Sequence, residues 1–243
     1  GITARIVAAQ KGHADLVEAL LKGGANLEAT DSGGRTALMH AAATGRAAVA
    51  AQLVEAGADA TLRATGGWGP GKTALEIAEA QGEAEIAALQ ILLDRAGMSP
   101  GVIDGRMGSN VAKALDAWFE ATGERLDPAD TDLIVSRLAA EGGLAFTTYE
   151  ITAEDAAGPF IASVPSDYAE KARLDRLAFT STSEMLAERF HMDEAYLKEL
   201  NPDVDFSVPG VRIKVVATGQ KKTGVVSRIV ADKARKQVRA YNE

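Results

Sequence analysis

The sequence contains no cysteine. Disulfides, thiolate metal sites and cysteine nucleophiles are therefore excluded within its 243 residues. Aromatic residues make up only 5%, and there are only 7 prolines, so proline-rich low-complexity and collagen-like classes fall away as well. No apolar run approaches the ~20 residues that a membrane-spanning helix needs. Positive charge is also in deficit: the net charge of −8 argues against the whole chain as a nucleic-acid binder. The chain opens at Gly1 with no initiator Met and no basic-then-apolar leader, so any export signal is expected upstream of Gly1. What remains is ordinary globular composition, 47% hydrophobic, 25% charged and rich in alanine. That length suits one large domain or two to three small ones.

The front of the chain repeats. Gly1-Ile2-Thr3-Ala4, Gly34-Arg35-Thr36-Ala37 and Gly71-Lys72-Thr73-Ala74 align at spacings of 33 and 37 residues. Each Thr-Ala opens a short Ala-rich helix: Arg5 to Gln10, Leu38 to Ala43, Leu75 to Ala80. Turns at Gly12-His13 and Gly45-Arg46 lead to second helices carrying Leu16 and Leu20, and Val49 and Leu53. Two units close alike, at Gly24-Ala25-Asn26 and Gly57-Ala58-Asp59. The Thr hydroxyl suits a helix cap, and glycine suits the left-handed residue after the second helix. This pattern resembles the ankyrin repeat. Where that family usually has histidine before the alanine pair, Met39 stands, with His40 one place later, which predicts a loosened bond between repeats. The resemblance implies a protein-binding face, with Asp31, Ser32, Arg35, Met39 and Trp68 as candidate contacts on the fingers.

Gly66 to Thr73 satisfies the phosphate-loop pattern G-x-x-x-x-G-K-T literally. That chemistry needs a buried strand before the loop, and Ala56 to Thr65 is a polar turn segment instead. Gly71 to Ala74 already belongs to the repeat register, so the segment is read as a longer finger and no nucleotide or other cofactor is expected.

From Glu85 an apolar helix runs to Leu93 and stops at Ala96-Gly97. An amphipathic helix follows with Val111, Ala114, Leu115, Trp118 and Phe119 at helical spacing. A third is expected from Asp127-Pro128, ending at Gly142-Gly143. With Leu89-Gln90, Leu92-Leu93, Gly97, Gly101, Asp104-Gly105, Gly108 and Ala114-Leu115, this block resembles the three-helix peptidoglycan-binding domain. It departs at Val111, where the family usually has Thr, and at Trp118-Phe119, where it usually has Phe-Gln. The resemblance implies peptidoglycan contact through Asp104, Arg106, Asn110, Lys113 and Trp118. Against that, Asp104 and the glycines suit a purely turn-building role, and Trp118 a core position.

Thr147 to Thr152 alternates as a short strand. Leu186-Ala187-Glu188-Arg189-Phe190, Leu200-Asn201-Pro202 and a strand after Pro209-Gly210 complete a strand, two helices and a strand. This resembles a LysM module, although Ser181-Thr182-Ser183 replaces the usual Gly-Asp-Thr, and an ordinary unit of the same topology without glycan affinity stays open. His191 is read as a helix-end residue rather than a ligand. Residues 220–243 are locally basic, and Val226 to Val230 and Val238 to Ala240 read as two strands around Asp232 to Lys236. They resemble the opening hairpin of an L,D-transpeptidase catalytic domain. That family's Cys and His machinery has no counterpart here.

The expected architecture is therefore mainly α and multidomain. It comprises an ankyrin solenoid (1–83), a three-helix peptidoglycan-binding-like bundle (84–143), a small α+β LysM-like module (144–219) and a truncated transpeptidase-like start (220–243). One helix near Glu76 to Arg95 is expected to serve both of the first two parts. The expected function is the non-catalytic, peptidoglycan-targeting region of an L,D-transpeptidase, periplasmic or envelope-associated, with a protein partner on the ankyrin face. No metal, nucleic acid or membrane span is expected. The alternative is an ankyrin interaction scaffold anchored to the envelope, without an enzymatic parent.

Overall fold

A computed structural model describes residues 3–174, 178–219 and 223–241. Gly1 and Ile2 of the first repeat, Lys221 and Lys222 of the basic stretch, and Glu243 lie outside the described residues. The chain begins with paired helices: α1 (Ala4–Lys11) with α2 (Ala14–Lys22), and α3 (Ala37–Ala43) with α4 (Ala47–Glu55). Then comes α5 (Ala74–Ala96). Thr3, Thr36 and Thr73 cap α1, α3 and α5, each hydroxyl accepting the N–H three residues on at 3.3 Å. At Thr73 the Glu76 carboxylate returns the bond to the cap N–H at 2.7 Å, closing a capping box. The helices α1, α3 and the start of α5 stack in one layer, with α2 and α4 behind them. Ile6, Met39, Val49, Leu53 and Ile77 fill the space between, where small alanines let the helices approach.

The segment after the third Thr-Ala differs from the two before it. Leu75 to Ala80 and Glu85 to Leu93 are not separate helices but parts of one continuous helix of 23 residues, covering the shared helix expected near Glu76 to Arg95, and by helix rise it is about 35 Å long. Ala74 and Ile77 belong to the first core, and Ala87 to Leu93 to a second. Every residue from Ala87 to Leu93 is buried, so this half is packed all round. Around it lie α6 (Ser109–Thr122) and α7 (Thr131–Ala140). The third helix of this bundle begins later than Asp127-Pro128. Asp130 is the cap, accepting Leu133 N–H at 3.0 Å, while Asp127 accepts Ala129 N–H in a separate turn just before it.

Beyond α7 come β1 (Phe146–Glu150), α8 (Ala153–Ala157), α9 (Tyr168–Lys171), α10 (Thr182–Arg189), α11 (Glu194–Leu200) and β2 (Arg212–Val216). β1 and β2 pair antiparallel, Phe146 opposite Val216 and Glu150 opposite Arg212. The Asn201 side chain extends this pairing, accepting Lys214 N–H at 2.6 Å and donating to Lys214 O at 2.8 Å. This unit and the three-helix bundle share one hydrophobic core running from Ala87 to Val216. Ile103 joins them through backbone bonds to His191 and Asp193 at 2.8 and 3.0 Å. Buried Arg95 closes the seam, donating to Gly143, Leu144 and Ala217 carbonyls. Its burial pulls the guanidinium pKa down, opposed by the charge of Glu141.

The hairpin β3 (Arg228–Asp232) and β4 (Gln237–Tyr241) forms a second two-stranded sheet. Glu120 on α6 holds it, meeting Arg235 at 2.9 Å and Arg239 at 2.8 Å. Among the described residues no helix is long and apolar enough to cross a membrane.

Candidate functional site

The repeat fingers converge on the Asp31 carboxylate. It accepts Gly33 N–H at 2.9 Å, Arg35 N–H at 3.1 Å, Arg35 Nε at 2.8 Å and His40 Nε2 at 3.0 Å. The bond from Arg35 is the largest cause holding Asp31 well below the ordinary carboxylate range, against burial, which works the other way. Arg35 then lies over the Trp68 ring, 4.6 Å from its centre, and the His40 ring meets the same indole edge-on at 5.1 Å. The two fingers are also joined through backbone: Gly33 O accepts from Thr65 N–H and Gly66 N–H at 2.9 and 3.0 Å. A side chain at Gly33 would bring its Cβ to 2.8 Å from Gly66 O, so this approach requires glycine.

Beside Trp68 opens a groove of about 600 Å³, lined by Gln10, Thr44, Pro70, Lys72 and Gln81 among others. Trp68 is 44% exposed, a large apolar ring held from beneath and free above. Ser32 is exposed on the neighbouring finger. Asp31 and Met39, expected among the partner contacts, are buried at 7% and 1% exposure, Asp31 bracing the finger from within and Met39 lying among the helices. Met39 packs in the core, and the imidazole that binds Asp31 comes from His40. The phosphate-loop look-alike is part of the same finger. Thr73 spends its hydroxyl on the α5 cap, and no strand precedes Gly66 among the described residues.

Residues 1–64 match the family model described as ankyrin repeats (3 copies). The N-terminal part is an ankyrin-repeat array. The match ends ahead of the Thr73 cap, so the finger that carries Trp68 and the helix α5 lie beyond it. No curated protein matches the chain.

In the central bundle the structure separates the residues that sequence grouped. The Gln90 side chain, 1% exposed, donates to Asp104 Oδ1 at 2.8 Å and accepts Gly105 N–H at 2.9 Å and Asp104 N–H at 3.2 Å. Asp104 also accepts Arg106 N–H at 2.9 Å, so its carboxylate builds the turn. Gly105 has φ +70°, and a Cβ there would sit 2.7 Å from Glu83 O. Trp118, expected as a peptidoglycan contact, is buried at 5% exposure and belongs to the core. Asn110 and Lys113 line a groove facing the hairpin, while Arg106 is exposed outside that groove.

Three features escaped sequence reasoning. Tyr149 donates to Asp155 at 2.6 Å, and Arg189 meets both at 2.9 and 2.8 Å. Burial disfavours the Asp155 charge, yet the bonds from Tyr149, Thr152 and Arg189 outweigh it and bring the carboxyl down to about 2. Glu76, Glu79 and Glu83 on α5 share a small acidic cavity with Glu199. Burial, then the charge of Glu199, pushes Glu83 up. The spacing of those three glutamates along one helix face was the available signal. The Glu120 clamp on the hairpin had none. Among the described residues no cluster of His, Asp and Glu could hold a metal ion.

Proposed function

We propose that the ankyrin array binds a protein partner in the groove beside Trp68. The observation that carries this reading is an indole 44% exposed above yet fixed below by Arg35 and His40. Rigid, half-exposed aromatics of this kind serve as anchors at protein interfaces, because little side-chain freedom is lost on binding. Lys72 and Gln81 offer polar contacts at the groove's edge. The test is affinity capture with the whole chain and with Trp68→Ala, followed by direct titration of whichever protein distinguishes them. A partner that binds both forms equally sinks the reading.

A second reading concerns the rest of the chain. It is the targeting of an L,D-transpeptidase, or of an ankyrin scaffold, to peptidoglycan at the cell envelope. Support comes from the turn at Asp104-Gly105 and from the pairing of β1 with β2 around α10 and α11, with the short helices α8 and α9 inserted after β1. Exposed Arg106 and Asn110 and half-buried Lys113 are groups suited to stem-peptide carboxylates and amides. Co-sedimentation with purified sacculi decides it: the chain pellets with washed murein, or this reading is dropped while the groove beside Trp68 is untouched.

A further inference from the structure

The hairpin leaves a groove of about 750 Å³ between β4 and α6. Every residue from Lys236 to Tyr241 lines it. Successive strand residues point to opposite faces, so a cavity touching all five residues of β4, together with the turn residue Lys236, runs along the strand's edge rather than under one face. Among the described residues β4 pairs only with β3, and its second edge has no strand beside it. The opposite wall is low: Ala114, Ala117 and Ala121 of α6, with Gly97 and Gly101.

The groove's lining carries a net positive charge. Its ionic side chains are Lys113, Lys236, Arg239 and Glu120. Glu120 is held by Arg235 and Arg239. Lys113 and Lys236 take part in no ion pair among the described residues. In a chain of net charge −8, these two ammonium groups make a local positive patch.

We propose that this groove binds an extended acidic peptide segment of a protein partner, which adds as a third strand along β4 and sets its carboxylates against Lys113 and Lys236. Main-chain bonds to the open edge supply affinity, and the two ammonium groups select the partner. A neutral or basic segment would cover both cations without pairing them, which is costly.

The whole chain is titrated, by fluorescence anisotropy, into a labelled peptide with glutamate alternating with threonine and valine. Saturable binding is expected, weakened about tenfold or more by Lys113→Glu and by Lys236→Gly. Glycine suits residue 236, whose φ is 52°, and melting curves of both variants check the fold. The same peptide with proline at the threonine positions lacks the needed N–H groups and is expected not to bind. The proposal is overturned by equal affinity for a lysine-for-glutamate peptide, by unchanged affinity in both variants, or by equal affinity for the proline peptide. Self-association of the chain that Lys113→Glu abolishes would assign the groove to a second copy and overturn it too.

Discussion

Arg35 connects a buried carboxylate to an exposed indole: its Nε donates to Asp31 at 2.8 Å while its guanidinium lies 4.6 Å above the centre of the Trp68 ring. The side chain belongs to one finger and the ring to the next. Trp68 therefore inherits its position from an ion pair whose side chains are 14% and 2% exposed. The position of the exposed ring and the stability of the repeats are coupled through one residue.

Arg35→Ala is expected to destabilise the array by about 2–3 kcal/mol, because it removes both guanidinium contacts to the buried Asp31 carboxylate, at 2.8 and 2.6 Å. Trp68 should then become more mobile and more exposed. Emission of Trp68, read in a Trp118→Phe background, should shift to the red and be quenched more readily by acrylamide. An unchanged spectrum would mean that the backbone bonds between Gly33 and Gly66 suffice to hold the finger.

What could be read in the sequence was local. The three threonine caps act across three residues, so their spacing alone located α1, α3 and α5. Alternation over Thr147 to Thr152 located β1, which the structure sets one residue earlier and ends at Glu150, while α10, α11 and β2 were placed by the Leu186–Phe190, Leu200–Pro202 and Pro209-Gly210 segments. The start of α7 was misplaced because Asp127 and Asp130 both accept nearby N–H groups, and Pro128 made the first look like the cap. Ties across long separations left no pattern: Gln90 reaches Asp104 over 14 residues and Arg95 reaches Ala217 over 122. Trp118 shows the same limit. Its helical position marked it as apolar-facing, but the protein surrounding it decides between core and sugar platform, and the structure buries it.

The Gln90 side chain satisfies two backbone N–H groups and one carboxylate oxygen at a position 1% exposed. Gln90→Leu keeps the volume and removes every bond, so it should cost about 2–4 kcal/mol by orphaning the Asp104 turn. Gln90→Glu retains the acceptor but sets a second carboxylate against Asp104. That variant should be destabilised at neutral pH and recover partly on acidification, as repulsion is relieved by protonation. Thermal melts across pH separate the two outcomes. Equal behaviour of the two variants would show that the turn stands without this side chain.

Asp155 supplies an acid-sensitive fastening for the second half of the chain. Its folded-state carboxyl titrates at about 2, below the ordinary value of 3.8. A depressed carboxylate contributes stability above its unfolded value and loses it as pH falls through the folded one. The window therefore lies between about pH 4 and about pH 2, and the contribution lost across it is about 2 kcal/mol. Asp155→Asn should flatten the urea midpoint against pH within that window, while wild type falls. Parallel curves for the two proteins would place the acid sensitivity elsewhere, with Asp31 the next group to replace.

Glu120 is the side chain that fastens the hairpin to α6, through Arg235 and Arg239 at 2.9 and 2.8 Å. All three are substantially exposed, so global stability should hardly change in Glu120→Gln. The effect should be local. Exposed Ile229 and Val238 contribute little burial, leaving β3 and β4 dependent on their own ladder and on this clamp. Isolated two-stranded hairpins are marginal in water. Amide exchange in Arg228–Asp232 and Gln237–Tyr241 should accelerate by about tenfold or more in the variant, with exchange in α5 unchanged. High salt should produce a weaker version of the same change in wild type, since exposed ion pairs are screened. Protection that survives both would mean that packing of Arg239 and Tyr241 against the groove, rather than charge, keeps the hairpin in place.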